Sequence, residues 1–460
     1  MVGRDTGSPG HASAVAMVVK RLLQPAGDAG GFTQRIPMHE VRVDSGGTRF
    51  AVVTPEGRRT SLRFLHEISV RATPDLAPKL RAAMMFRGYC GAGDVGADVA
   101  GTVVVCFANR RSGRPVGAER SKAVTAAGAA GMIAIDDVGY TIEPLRWPEA
   151  YARQIGVAGT KAVTTAEPVM MFIGAAALPA LLAGSGYSAA QILDAGVAGI
   201  SLPSFDLPIR IEADFAISRR DLSSNNVLAM LPGTDPALKD EVVVVSAHID
   251  GYGIGEAVGG DTIYNGAFDD AAYVATLVRL AERRRGKGFR RPVLFAIFTG
   301  EEKGLLGARW FVSHRAASDP AIAANINLDA IRPLFPLKAL TLIGMDASTL
   351  VDDVRAVAAP MGIEVRADNK PQRGMIRRTD AAAFLGSGIP GISFMFAYDA
   401  GSEAERRFRE WYQTRYHRPK DDIGQPIDMT TARDFNLFFY KLAERVADGA
   451  VPPKLTGTRP

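Results

Sequence analysis

EVVVVSAHIDGYGIGEAVGGDTIYNGAFDD, residues Glu241 to Asp270, is the stretch on which the reading of this chain turns. Its opening run, Val242 to Val245, consists of β-branched residues that suit a buried strand. The run continues into Ser246-Ala247-His248-Ile249-Asp250, and an extended backbone there would turn His248 and Asp250 to the same face. A carboxylate so placed can hold one imidazole nitrogen while the other nitrogen binds a metal. A Gly-rich loop is expected next. Asn265-Gly266-Ala267-Phe268-Asp269-Asp270 then puts two carboxylates at the mouth of an amphipathic helix. Open α/β sheets place their chemistry at the carboxyl ends of strands, where this His and Asp cluster falls.

Strands and helices alternate outward from that stretch. Ala271 to Arg285 reads as a helix with Val274, Leu277, Val278 and Leu280 on one side. Pro292 to Thr299 is a very apolar strand running into Gly300-Glu301-Glu302-Lys303-Gly304. A helix over Leu305 to His314 precedes a strand over Ile322 to Ile331 that carries Asn327-Leu328-Asp329. Leu337 to Ile343 is a strand, Thr349 to Met361 a helix and Gly391 to Phe396 another strand. Tyr416-His417 and Asp421-Asp422 share a loop before a closing helix over Asp434 to Val446. The alternation implies an α/β fold with a mixed, largely parallel central sheet and helices on both faces.

Upstream, Val15, Val18, Val19 and Leu22 recur at helical spacing, and Pro25-Ala26-Gly27 supplies a stop. Gln34 to Glu40 and Thr48 to Val53 read as strands; His39 and His66 lie away from carboxylate clusters and read as surface or structural histidines. Between about Arg71 and Leu207 alanine and glycine dominate. Gly101 to Cys106, Gly131 to Ile135 and Val169 to Ile173 are short strands there, with a small-residue helix over Lys122 to Ala130. This region carries no ligand cluster, catalytic pair or phosphate loop, so it reads as a small α/β insert. The expected division is 1–70 and 208–460 as one catalytic domain, interrupted by an insert at 71–207.

Composition narrows the function classes. The 460 residues are 47% hydrophobic and 22% charged, as in an ordinary globular chain, with a net charge of only +5. Arg283 to Arg285 with Lys287 is the one dense basic run, and it falls at a helix end, so no nucleic-acid partner is expected. Cys90 and Cys106 are the only cysteines, so any metal must be held by His and carboxylates; one disulfide and two separate buried thiols both fit. Ala14 to Val19 is too short for the core of a signal peptide, and Lys20-Arg21 follow it. Val169 to Ala183 is short and contains Gly174 and Pro179, so it reads as core and no membrane-spanning segment is expected.

Taken singly, the polar residues say little. A Glu-Glu pair is most often a solvated turn, and Gly251-Tyr252-Gly253-Ile254-Gly255 lacks the spacing of a dinucleotide loop. Position changes their weight. His248, Glu301-Glu302 and Asp329 each follow a strongly apolar strand, where charge must be paired or metal-bound to be tolerated. His248, Asp269, Glu302, Asp329 and His417 supply two imidazoles and three carboxylates. That set suits two Zn²⁺, each with a His and a terminal carboxylate, and one carboxylate shared. Glu301, beside Glu302, is then free to act as general base on a metal-activated water.

SAHIDGYGIG, GDTIYNGAFDDAA, FTGEEKGLLGARWF, INLDA and YHRPKDD, in this order and spacing, resemble the bacterial leucyl-aminopeptidase-type di-zinc exopeptidases. Glutamate carboxypeptidase-type peptidases share the pattern. GRDTGSPGH resembles the family's usual start, and GTVVVC with KAVTAAGAAGMIAI resembles a protease-associated domain. The resemblance implies a zinc exopeptidase fold with His248 and Asp329 on one zinc, Glu302 and His417 on the other, and Asp269 bridging. It further implies that Asp250 orients His248, that Glu301 is the base, and that the Tyr416 hydroxyl bonds the tetrahedral intermediate. A cis peptide between Asp269 and Asp270 is also implied. Two departures stand out: Ala271-Ala272-Tyr273 replaces a small Ala/Ser-Gly pair, and Thr379-Asp380-Ala381 replaces Ser-Asp-His.

The implied activity is hydrolysis of N-terminal residues from peptide substrates. The alternatives are carboxypeptidase or other amidohydrolase action on the same metals, with Arg377 and Arg378 available to a substrate carboxylate, and a non-catalytic receptor-like homologue. Relatives with such an insert are commonly exported. The compartment is therefore expected to be periplasmic or extracellular if a leader has been trimmed, and cytoplasmic otherwise.

Overall fold

The computed structural model describes residues 3–26, 31–108, 113–137, 148–159, 167–329, 331–371 and 374–457. It divides into two units, Met1–Met38 with Leu222–Pro460, and His39–Asp221. Helix α1 (Pro9–Ala26) and strand β1 (Gly31–Val43) come first. Gly27 of the expected helix stop and residue 330 of the expected third strand lie outside the described residues.

The unit His39–Asp221 contains β2 (Arg49–Val53), β3 (Arg59–Leu62), β4 (Ile68–Val70), β5 (Lys79–Arg87) and β6 (Val103–Phe107). Helix α2 (Gly117–Ala126), β7 (Gly131–Ile135), β8 (Arg153–Val157) and β9 (Val169–Ile173) follow. Helices α3 (Leu178–Leu181) and α4 (Ala189–Ala198) lead to β10 (Ser204–Asp214). The sheet runs β3-β2-β10-β5-β6-β7-β9-β4. Its centre, β5 to β6 to β7 to β9, is parallel. Residues 71–207 lie inside this unit, and β2 and β3 belong to the same sheet because β2 pairs antiparallel along β10. Val103, Val105, Phe107, Ile133 and Ile135 form its core with Ile211. The helix expected over 122–130 starts at Gly117, where the Glu119 carboxylate accepts the Val116 N–H at 2.8 Å. The membrane-like run resolves into β9 and short helical turns with Met171, Leu178 and Leu181 buried. Cys90 and Cys106 form a disulfide. Glu40, 3% exposed, accepts from Arg153 Nε at 2.8 Å and from Arg220 Nε at 3.0 Å.

The other unit continues with β11 (Ile217–Leu231), β12 (Glu241–His248), the hairpin β13 (Gly253–Val258) and β14 (Asp261–Tyr264), and α5 (Ala272–Arg284). Then come β15 (Val293–Phe298), α6 (Leu306–Ser313), β16 (Ala321–Asn327), β17 (Ala339–Ile343), α7 (Leu350–Ala358) and β18 (Glu364–Ala367). Helix α8 (Ala381–Gly386), β19 (Gly391–Phe396), α9 (Glu403–Thr414) and α10 (Met429–Asp448) complete it. Its strands run β18-β17-β19-β16-β12-β15-β11-β1. Strand β12 is parallel to both neighbours, whereas β11 and β17 enter antiparallel, giving the mixed sheet expected.

Strand β12 is buried from Val242 to His248, so helices must cover both faces. Val242 and Val244 pack with Ala308 and Phe311 of α6 and Phe384 of α8. Helices α5 and α10 lie against β12 as well. Two segments differ from the sequence expectation. The Gly-rich loop is partly a hairpin, because Gly259 and Gly260 both take positive φ and close a tight turn between paired Val258 and Asp261. Helix α9 was not expected; Ser402 caps it, accepting the Glu405 N–H at 3.1 Å, and Phe408, Trp411 and Tyr412 form its buried stripe. Among the described residues no helix is long and apolar enough to cross a membrane.

Candidate metal centre

The register of three parallel strands builds the site. His248 at the end of β12 lies opposite Phe298 at the end of β15, and Ser246 lies opposite Asn327 at the end of β16. Backbone bonds carry this alignment past the strand ends, from Ile249 N to Phe298 O at 2.9 Å and from Leu328 N to Ser246 O at 2.8 Å. Glu301-Glu302 and Asp329 therefore emerge at the level of His248. The expected donors come together in three groups: His248 with Asp269 and Asp329, His248 with Glu301 and Glu302, and Asp269 with Glu302 and His417. Within each group the donor atoms lie within 4.8 Å of one another.

Asp269 stands between the two imidazoles. Its Oδ1 is 3.4 Å from His248 Nε2, and its Oδ2 is 3.4 Å from His417 Nε2. The backbone delivers it there through a distorted turn over Ala267–Ala271, with a cis peptide between Asp269 and Asp270 as expected. Gly266, at φ +60°, is needed beside it, because a Cβ would run into the Asp269 carbonyl. Asp250 lies beyond the strand, yet its Oδ1 is 3.7 Å from His248 Nδ1. Its carboxylate also accepts the N–H groups of Glu301 and Glu302 at 3.1 and 3.2 Å, tying the end of β12 to that of β15. Tyr416 stacks on the His417 ring at 3.5 Å between centroids, and Arg378 approaches its hydroxyl at 3.5 Å.

Several residues around the donors were given no role by the sequence. Arg4 donates to the carbonyls of Ile249 at 2.8 Å, Gly266 at 2.8 Å and Asp269 at 3.4 Å. Thr6 donates to Asp250 Oδ2 at 3.0 Å. Arg332 places its guanidinium 3.6 Å from Asp269 Oδ1 and 4.6 Å above the Trp411 ring. Tyr252 donates to Glu302 Oε2 at 2.6 Å. Each of these contacts joins residues far apart in sequence, and only the starting motif GRDTGSPGH hinted at Arg4 and Thr6. Tyr273, the bulky departure, is absorbed in packing: its hydroxyl donates to Ile331 O at 2.7 Å and its ring meets Phe435 edge-on.

The electrostatics are those of crowded carboxyls. Burial pushes the Glu301 carboxyl well up, opposed by His248 and reinforced by Asp329, Glu302 and Asp380. Burial likewise drives Glu302 up to about 7 and Asp380 up to about 8. Asp270 is also raised well above the carboxylate range by burial, with Asp329 adding to it. Asp269 goes the other way: burial would raise it, but His248, His417 and Arg332 hold it well below its ordinary value. Burial would lower His248, and Asp270, Asp250 and Asp269 more than reverse that. Buried His248 Nε2, Asp269 Oδ2 and Glu302 Oε1 have no hydrogen-bond partner. Partnerless buried donors among carboxyls that repel one another's charge fit a divalent cation. Nitrogen and oxygen ligands without sulfur fit zinc.

The sheet, its flanking helices and this cluster at the strand ends define a mixed α/β fold with a candidate metal site at the carboxyl ends of its parallel strands. Residues 226–443 match the model of Peptidase family M28. Leupeptin-inactivating enzyme 1 of Streptomyces exfoliatus is 24% identical over 236 residues, 50% of this chain and 50% of that protein. The vacuolar membrane protease of Lachancea thermotolerans is 35% identical over 92 residues, 20% of this chain and 8% of that protein. The chain thus spans half or less of the length of these curated relatives. The aminopeptidase from Aneurinibacillus sp. strain AM-1 superposes with a TM-score of 0.62 at 17% identity, covering 99% of this chain and 92% of that one. BSAP, a zinc aminopeptidase from Bacillus subtilis, gives 0.62 at 16% identity, covering 98% and 92%. At these identities the likeness is one of fold.

Proposed function

We propose that this protein is a zinc-dependent exopeptidase that removes N-terminal residues from peptides, using two zinc ions. His248 and Asp329 would hold one ion, Glu302 and His417 the other, and Asp269 would bridge them. The observation that carries this reading is the carboxylate of Asp269, with each oxygen 3.4 Å from a different buried imidazole. When bound, the zinc ions supply Lewis acidity, which polarises a carbonyl and makes water acidic enough to react near neutral pH.

The chain's own residues do the rest. Asp250 orients the His248 ring through Nδ1 and leaves Nε2 for the ion. Glu301, buried beside His248 and Glu302, takes a proton from the attacking water and returns it to the leaving amine. The Tyr416 hydroxyl, held beside His417 by ring stacking, donates to the developing oxyanion. Substrates are peptides with a free α-amine. The insert at 71–207 is read as a protease-associated domain, and the Cys90–Cys106 disulfide in the same unit supports an exported protein.

One observation favours a second reading, carboxypeptidase action: the guanidinium of Arg378 sits beside Tyr416, where it could grip a substrate carboxylate. Metal analysis alongside hydrolysis of a free-amine and an N-acetylated aminoacyl amide separates the two. Two zinc ions per chain and cleavage of the free amine alone are expected. Cleavage only of substrates bearing a free carboxylate would establish the second reading. A protein that stays inert in excess zinc would overturn both.

A further inference from the structure

Tyr252 lies in the turn between Asp250 and β13, inside the Gly251–Gly255 stretch that fits no dinucleotide loop. Its hydroxyl donates to Glu302 Oε2 at 2.6 Å, a short phenol–carboxylate bond. Its ring lies 4.1 Å from the His417 ring between centroids. One side chain therefore touches both terminal donors of the group formed by Asp269, Glu302 and His417. Glu302 Oε1, buried and without a hydrogen-bond partner, faces His417 Nε2 at 3.8 Å. With Oε2 engaged by the phenol, Oε1 is the oxygen left to a metal.

We infer that Tyr252 is a positioning residue that limits Glu302 to one donor oxygen and buttresses His417, thereby setting the affinity of one metal position separately from the other. The inference rests on the two-metal reading above. His248, the imidazole of the other position, has Asp250 Oδ1 3.7 Å from its Nδ1 instead. An outer hydrogen bond that fixes a ligating carboxylate commonly changes metal affinity by about 10–100-fold. By taking up one carboxylate oxygen, Tyr252 also leaves a coordination place for water or substrate, which a bidentate Glu302 would fill.

The test is zinc titration of the metal-free 460-residue protein against a competing chelator, for wild type, Tyr252→Phe and Tyr252→Ala. The absorption spectrum of the cobalt-substituted forms reports coordination independently of activity. Wild type is expected to bind two equivalents. Tyr252→Phe keeps the ring and should weaken one equivalent by about 10–100-fold, leaving the other and the metal-free melting temperature unchanged. Its cobalt spectrum should shift as Glu302 gains its second oxygen. Tyr252→Ala should weaken the same equivalent further. Unaltered affinities in Tyr252→Phe, or equal weakening of both equivalents, would overturn the inference alone. A single equivalent in wild type would overturn the two-metal reading and the inference with it.

Discussion

Replacing Glu301 by Gln tests the proposed chemistry most directly, because the structure separates the side chain's role from the backbone's. The Glu301 N–H donates to Asp250 Oδ1 at 3.1 Å, and that bond does not need the carboxylate. Glutamine fills the same volume but cannot accept a proton. A positioned general base contributes about 10²–10⁴-fold. At 1.36 kcal/mol per decade, the barrier to reaction should therefore rise by about 2.7–5.4 kcal/mol, seen as a fall in kcat with little change in KM. The pH profile gives a second readout. Burial and then the neighbouring carboxyls raise the Glu301 pKa, against His248, so the basic form is lost as pH falls and kcat/KM should decline on the acid side. A bound cation moves that limb to lower pH without changing its sign. In Glu301→Gln the limb should disappear. The assay is steady-state hydrolysis of an aminoacyl p-nitroanilide across pH, with zinc measured on the same samples. Activity within tenfold of wild type would refute the assignment; loss of activity together with loss of zinc would make Glu301 a ligand instead.

Chelation should abolish hydrolysis and lower the melting temperature, with both restored by zinc; a ligand at 100 times its Kd stabilises by about 2.7 kcal/mol. Glu40→Gln should destabilise the His39–Asp221 unit by about 3–5 kcal/mol, because the buried Arg153 guanidinium loses its partner. Glu40's pKa is lowered: burial opposes this, but Arg220 and Arg153 prevail, so wild-type stability is full above about pH 4.5 and falls as pH drops through the folded-state value. Urea melts between about pH 3 and 6 should show that decline in wild type and a flatter profile in the variant. Replacing Cys90 and Cys106 by Ser opens a loop with a sequence separation of 16, which should cost about 3 kcal/mol in urea melts and little activity at low temperature.

His248, Glu301-Glu302 and Asp329 could be read because each sits where an apolar run stops. Val242 to Val245, Val293 to Phe298 and Ile322 to Ile326 announce buried strands, and a His, a Glu pair and an Asp just past them are out of place unless they have work. The hairpin over Gly253–Tyr264 was harder to read. It depends on two adjacent glycines at positive φ, and the flanking residues alternate too weakly to declare strands. Arg332, and the parts played by Tyr252 and Asp270, were invisible for a different reason. Their significance lies in contacts with residues 22 to 63 or more positions away, and nothing local distinguishes a buried Arg from a surface one before the chain is folded.

The unit of Met1–Met38 with Leu222–Pro460 holds all the candidate donors, although residues 39–221 separate its two stretches in sequence. The donors all come from 248 onward, yet the segment that fixes their backbone comes from the start of the chain. Arg4 gathers the carbonyls of Ile249, Gly266 and Asp269 around one guanidinium, and Thr6 holds Asp250. Buried carbonyls in an irregular turn must find donors, and a planar fork with five N–H groups meets several at once. Arg4 is buried and burial lowers its pKa, against the carboxylates of Asp421, Asp250, Asp270 and Asp269, so its charge is held in place by the acids it helps to position. The turn that presents Asp269 to two imidazoles is thus completed by Arg4, which lies in the same unit as the donors.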